Sequence, residues 1–152
     1  MTPSTKIAVI TGASSGIGSI YADRLARRGY DLLLVARRSD RLQTLAAKLE
    51  QAYGIKAETL VADLEHEDDL VRLESVLASN PAIRILVNNA GIARLSPVAE
   101  TPVKDSFAQI ALNITALTRL THAVLSAFKR SRNATKASSS ISPQCWRYMP
   151  CR

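Results

Sequence analysis

Three glycines, Gly12, Gly16 and Gly18, sit in the run TGASSGIG at 11–18, and their spacing could cradle a phosphate. An apolar run, Ile7-Ala8-Val9-Ile10, leads into them. A helix opening near Gly16 would aim its unpaired N–H groups and positive dipole end at the same point. Thr11, Ser14, Ser15 and Ile17 complete the candidate binding residues of this turn. The spacing departs from the commoner G-x-G-x-x-G, and a turn that merely joins strand to helix would use the same glycines. Its place at the first strand-to-helix junction points instead to a dinucleotide site.

The residues after the second apolar run bear on which dinucleotide. An NAD site places an acidic residue roughly 20 positions past the turn, where it holds the ribose hydroxyls. This sequence has Ala36 there, followed by Arg37 and Arg38. A carboxylate would repel a 2′-phosphate, whereas a guanidinium binds one bidentately. The expected cofactor is therefore NADP(H), with Ser14 or Ser15 adding a hydroxyl; the alternative is that both arginines only solvate a loop. Asp63, in Ala62-Asp63-Leu64, has two open readings. It could accept a hydrogen bond from an adenine amino group, or cap the helix beginning at Leu64. In Asn88-Asn89-Ala90-Gly91 the Asn side chains can tie neighbouring strands together, and Ala90-Gly91 leaves room for a cofactor against the backbone.

Elements that would position these residues follow in order. Strands are predicted at 7–10, 31–36, 56–62 and 83–87. Between them lie a helix from Gly16 with Ile17, Ile20, Tyr21 and Leu25 recurring at helical spacing, a helix capped by Ser39 with Leu42, Leu45, Ala46 and Leu49 inward, and a helix over 65–77. A long amphipathic helix over 103–128 carries the stripe Phe107, Ile110, Ile114, Leu117, Leu120, Val124 and Leu125. The alternation implies an α/β, Rossmann-like, doubly wound parallel sheet of order 3-2-1-4, with its ligand crevice between the first and fourth strands.

The chain has 152 residues, enough for one domain, and no apolar run long enough to span a bilayer. The net charge of +7 invites a nucleic-acid reading until it is divided. From Phe128 to Arg152 stand six basic residues and no acidic one, so the remainder carries 14 basic against 13 acidic. With no recognition module, no specific nucleic-acid partner is expected, and no membrane partner either. Both cysteines, Cys145 and Cys151, lie in that last stretch, which suits a cytoplasmic protein without a disulfide framework. The N-terminus reads as neither signal nor transit peptide.

TGASSGIG, the VARR end of the second strand, Ala62-Asp63-Leu64, NNAG at 88–91 and Asn113 together resemble the short-chain dehydrogenase/reductase family over about 1–127. The resemblance implies a nicotinamide cofactor and reversible hydride transfer between NADP(H) and an alcohol/carbonyl pair. It implies that Asn113 holds a water in a proton relay, alongside a Ser, a Tyr and a Lys. It also implies a homo-oligomer, formed in the family through the long helix and its successor.

The Ser, Tyr and Lys find no counterpart. Tyr148 has Arg152, not Lys, four residues on, and Ser138, Ser139, Ser140 and Ser142 lack an apolar strand pattern around them. Residues 128–152 read as a basic, disordered tail after a fold truncated beyond its fourth strand and helix. Read two nucleotides later in each triplet, the codons of Asn133–Arg152 permit NQGIIINISSVLALHALP, with an apolar strand ending in Ile-Ser-Ser, so a frameshift is the expected origin. Two functions remain: an NADP(H)-dependent oxidoreductase by resemblance, inactive as this chain, or a noncatalytic NADP(H)-binding module with a regulatory or partner-binding role.

Overall fold

The structure, a computed structural model, describes residues 6–93 and 97–136. Four parallel strands form one sheet: β1 (Ile7–Thr11), β2 (Asp31–Ala36), β3 (Ala57–Val61) and β4 (Ile83–Val87), in the expected order β3-β2-β1-β4. The two central strands are apolar at both parities, because both faces of the sheet are covered. Ala8, Ile10, Leu32 and Leu34 face α1 (Gly16–Arg27) and α2 (Ser39–Tyr53), in a core with Ala22, Leu25, Leu42 and Leu49. Val9, Leu33, Val35 and Ile83 pack on the other side with Leu73 and Leu77 of α3 (Glu67–Ser79). Leu120 and Val124 of α5 (Leu117–Lys136) complete that second core.

The last helical stretch differs from the sequence expectation in three ways. It is α4 (Val103–Ile110), then six residues of wider π geometry at Ala111–Ala116, then α5. The expected stripe splits. Leu120 and Val124 are buried, but Phe107, Ile110, Ile114, Leu117 and Leu125 are exposed, Phe107 by 65%. The buried line is Leu112, Ala116, Leu120, Val124 and Ala127, and its steps of four through the π segment follow the wider turn. Finally, the helix expected to end at Phe128 continues to Lys136, a stretch with no glycine or proline to stop it.

α1 shows the same substitution of small residues for large ones. Gly18, Ala22, Leu25 and Ala26 are buried, whereas Ile17, Ile20 and Tyr21 are exposed. Smaller corrections lie at the ends. Arg38, not Ser39, takes the cap position of α2, and α3 begins at Glu67 rather than 65. Ser138, Ser139, Ser140, Ser142, Cys145, Tyr148 and Cys151 lie outside the described residues. Among the described residues, no helix is long and apolar enough to cross a membrane.

Arg119 joins α5 to α3. It donates to both oxygens of Glu74 at 2.7 Å, and to Glu67 at 2.7 and 2.8 Å. Those bonds raise the Arg119 guanidinium above its ordinary value and hold the Glu67 carboxyl below its own. A carboxyl depressed on folding stabilises above its unfolded pKa, and that stabilisation is lost as pH falls through the folded value. Arg119→Ala should lower the melting temperature at pH 7 by about 3 °C, given the partial exposure of the pair. The gap between parent and variant should narrow as pH falls from 7 towards about 3 and the depressed Glu67 carboxyl takes up its proton. Thermal melts of both proteins across that range check it.

Candidate functional site

A cleft of about 490 Å³ opens beyond the carboxyl ends of β1, β2, β3 and β4. One wall is the glycine turn. Gly12 takes φ +65°, and a Cβ there would meet Ala90 Cα and Asn89 Nδ2, both at 2.9 Å. Gly18 serves closeness alone: an added Cβ would fall 2.3 Å from the Gly12 carbonyl oxygen. α1 thus lies directly on the turn, its first N–H groups at the cleft. Ser15 caps α1 in an extended conformation without a side-chain hydrogen bond to the helix, so those donors remain open to an anion.

The hydroxyls of Ser14 and Ser15 instead accept from Arg38 Nη2, at 3.2 and 3.0 Å. This separates two arginines that were equivalent in sequence. Arg38 closes over the glycine turn. Arg37 leans the other way, its Nη1 3.7 Å from Asp63 Oδ2 and 3.7 Å from Glu65 Oε1. Both line the cleft.

Asp63 lines it too. Of its two sequence readings, the helix cap fails: α3 is preceded by His66, and Asp63 Oδ1 accepts from the Glu65 N–H at 3.1 Å, closing the turn before the helix. Its own N–H donates to Asp69 Oδ2 at 2.8 Å. Its Oδ2 remains on the cleft side with Arg37.

The fourth strand's end is tied to the turn through Thr11, which is only 1% exposed. Its Oγ1 donates to the Val87 carbonyl at 3.3 Å and accepts from the Asn89 and Ala90 N–H groups, both at 3.1 Å. Asn89 Nδ2 returns to the Thr11 and Gly12 carbonyls, each at 3.2 Å. The strand-tying expected of the Asn pair is therefore carried by Asn89. Asn88 donates to Thr121 Oγ1 at 2.9 Å, while its buried Oδ1 finds no donor among the described residues.

Asn113 sits inside the π segment, a geometry frequent at functional sites. Its Nδ2 donates to the Ile92 carbonyl at 2.7 Å, and its Oδ1 accepts the Ile92 N–H at 3.0 Å. One N–H and one lone pair of the amide hold that backbone, so the side chain positions the loop after Gly91 and keeps a second N–H and a second lone pair for another partner. A Cβ on Gly91 would come 3.1 Å from Asn113 Oδ1.

Of the residues singled out in the sequence, Gly12, Ser14, Ser15, Ile17, Arg37 and Arg38 line the cleft, as do Asp63, Leu64, Asn89, Ala90 and Gly91. Thr11 and Gly18 are buried behind this lining and shape it, whereas Gly16 is exposed at the start of α1. The sequence reading missed Val35, Ala62, Ile92 and Leu112 as lining residues and gave Ala36 no binding role. Val35 and Ala36 close β2 and Ala62 directly follows β3, all beside marked residues, which was the available signal. Nothing local announced Ile92 or Leu112. Among the described residues, no cluster of His, Cys, Asp and Glu could hold a metal ion.

Residues 6–140 match the family profile described as short chain dehydrogenase, which runs past the residue 127 to which the sequence resemblance extended. The chain is similar to very-long-chain 3-oxoacyl-CoA reductase-A of Danio rerio, at 38% identity over 124 residues, 79% of this chain and 39% of that protein. It is similar also to very-long-chain 3-oxoacyl-CoA reductase of Candida albicans, at 35% over 125 residues, 80% of this chain and 36% of that protein. Among solved structures, a short-chain dehydrogenase from Sphingobium yanoikuyae in complex with NADPH is 47% identical. It superposes with a TM-score of 0.81 over 83% of this chain and 50% of that one. L-Sorbose reductase from Gluconobacter frateurii, complexed with NADPH and L-sorbose, is 33% identical with a TM-score of 0.76, over 84% of this chain and 49% of that one. The chain thus spans about two fifths of the curated relatives' length and half that of the solved ones.

Proposed function

The chain belongs to the short-chain dehydrogenase family, and from that premise we propose that it forms the NADP(H)-binding part of an oxidoreductase acting on an alcohol/carbonyl pair. The observation that carries this reading is Arg38 on the Ser14 and Ser15 hydroxyls, beside the open N-terminus of α1. A pyrophosphate would take the N–H donors of that helix end. A 2′-phosphate would take Arg38 with the two hydroxyls. When bound, the nicotinamide supplies or accepts the hydride. The chain's own contribution is to orient it: Asn89 and Thr11 fix the strand ends, and Asn113 fixes the Ile92 backbone beneath the cleft. Relatives solved with NADPH support the cofactor assignment. A cytoplasmic location belongs to the same proposal, supported by the lack of cysteine in residues 1–144.

Titration of the purified chain with NADPH and with NADH, read by nicotinamide fluorescence, tests it. Arg38→Ala should weaken NADPH binding by about 30-fold, the scale of one charge-assisted contact to a phosphate, and NADH by under about threefold. Equal losses for both would remove the 2′-phosphate from the reading.

A second reading has its own observation. None of Tyr21, Tyr30, Tyr53 and Tyr148 has a lysine four residues on within these 152 residues. We therefore propose that these residues by themselves bind NADP(H) without turnover, as a binding module. Reduction of a carbonyl by the pure 152-residue chain would overturn this.

A further inference from the structure

Asp63 and Glu65 set two carboxylates against one arginine of the cofactor cleft. Arg37 Nη1 stands 3.7 Å from Asp63 Oδ2 and 3.7 Å from Glu65 Oε1. These separations lie beyond hydrogen-bond length, so the guanidinium's donors are attracted to the carboxylates without being spent on them. The Arg37 side chain is 61% exposed and free to turn, while those of Asp63 and Glu65 are 27% and 28% exposed. The two acids differ in how they are held. Asp63 closes the turn by accepting the Glu65 N–H, whereas Glu65 contributes only its backbone to that bond. The Glu65 side chain can therefore change without undoing the turn.

We propose that Glu65 attenuates the site's preference for a 2′-phosphorylated cofactor by sharing Arg37 with the 2′-phosphate. The inference rests on the NADP(H) reading above and adds a residue to it. The charge arithmetic gives the direction. Arg37 and Arg38 against Asp63 and Glu65 sum to zero. His66, 3.9 Å from Asp63 Oδ2, adds a positive charge only when protonated. Behind this group, Asp69 is already paired with Arg72 at 2.9 Å. A 2′-phosphate, carrying roughly −1.5 to −2, thus enters a group whose positive charge is offset before it arrives. Removing the Glu65 charge leaves the group at +1 and Arg37 with one carboxylate neighbour instead of two. Little ordering of Arg37 is lost in exchange, because contacts of 3.7 Å constrain it weakly.

The test is binding of NADPH and NADH to the full 152-residue chain and to Glu65→Gln, at low and high salt, with circular dichroism confirming that both fold. Glu65→Gln should tighten NADPH by about fivefold at low salt and by under about twofold near 0.5 M, since the interaction is solvent-screened. NADH, which has no 2′-phosphate, should change by less than about twofold on the same electrostatic grounds. 2′,5′-ADP should follow NADPH, which separates the effect from the nicotinamide end. In an Arg37→Ala background the gain should shrink below about twofold, because the shared group is gone. Unchanged or weaker NADPH binding by Glu65→Gln would overturn this inference alone. So would an undiminished gain without Arg37. A folded parent chain that binds neither NADPH nor 2′,5′-ADP would overturn both this inference and the cofactor reading.

Discussion

Gly18→Ala should destabilise the fold more than any other single methyl added at the turn. Its Cβ would fall 2.3 Å from the Gly12 oxygen, 2.9 Å from the Gly12 carbonyl carbon and 2.6 Å from Asn89 Nδ2. Two of these are backbone atoms of a turn that is bonded in turn to Asn89, so neither can swing aside as a flexible side chain would. α1 would have to lift by about 1 Å, the shortfall against van der Waals contact. Lifting it unseats Ala22, Leu25 and Ala26 from the sheet together. Overpacking of this kind costs about 3 kcal/mol, a large fraction of the ~5–15 kcal/mol of a whole domain. Gly16→Ala is the control. Gly16 has φ +57° with nothing within 4 Å of an added Cβ, so it meets only the left-handed backbone penalty of about 1 kcal/mol. Urea unfolding followed by circular dichroism should rank Gly18→Ala well below Gly16→Ala. Equal midpoints would show that α1 does not bear on the turn as described.

These glycines also mark how far the sequence could be read. Strand positions and their order were legible because each strand is a short apolar run bounded by turn residues, and because right-handed crossovers leave few arrangements. The glycine turn was legible because a strand that turns sharply into a helix seated on it requires glycine at particular backbone positions. Side-chain direction was not. Arg37 and Arg38 are adjacent and chemically identical, yet only Arg38 reaches Ser14 and Ser15. One residue of register at the end of β2 decides that, and no pattern of residue types encodes it.

The face of α2 is buried as read, at Leu42, Ala46 and Leu49, but those of α1 and of the long helical stretch failed in part, for a different reason. A search for amphipathic stripes favours large apolar residues. α1 instead buries Gly18, Ala22 and Ala26 with Leu25, because a helix seated this closely on a turn has room only for small side chains. Ile17, Ile20 and Tyr21 were then left outside. In the long helical stretch the error came from the period. The π segment at Ala111–Ala116 shifts the phase between α4 and α5, and neither glycine nor proline signals it. Asn113, placed by resemblance alone, proves to bond both ways to Ile92 across a loop that sequence periodicity does not describe.

Thr11→Val should show that a single buried hydroxyl joins the two strands on which the site is built. Valine matches threonine in shape, so the core beside it stays filled while the hydroxyl's three bonds vanish. The Val87 carbonyl loses a donor, and the Asn89 and Ala90 N–H groups lose their shared acceptor. Thr11 is 1% exposed and its three partners are half-buried, so water replaces the hydroxyl only in part. A fully stranded group costs about 1–3 kcal/mol, so a total near 3 kcal/mol is expected for the three together. The same loss releases Ala90 and Gly91, which line the cleft, so NADPH affinity should fall as well. Thr11→Ser separates packing from hydrogen bonding. It removes a buried methyl, worth about 1 kcal/mol, and keeps the oxygen. Serine should therefore retain cofactor affinity with a modestly lower urea midpoint, while valine lowers both. If valine is as stable as the parent, the β1–β4 ladder and the Asn89 side-chain bonds to the Thr11 and Gly12 carbonyls suffice to hold the strand ends, and the hydroxyl is dispensable.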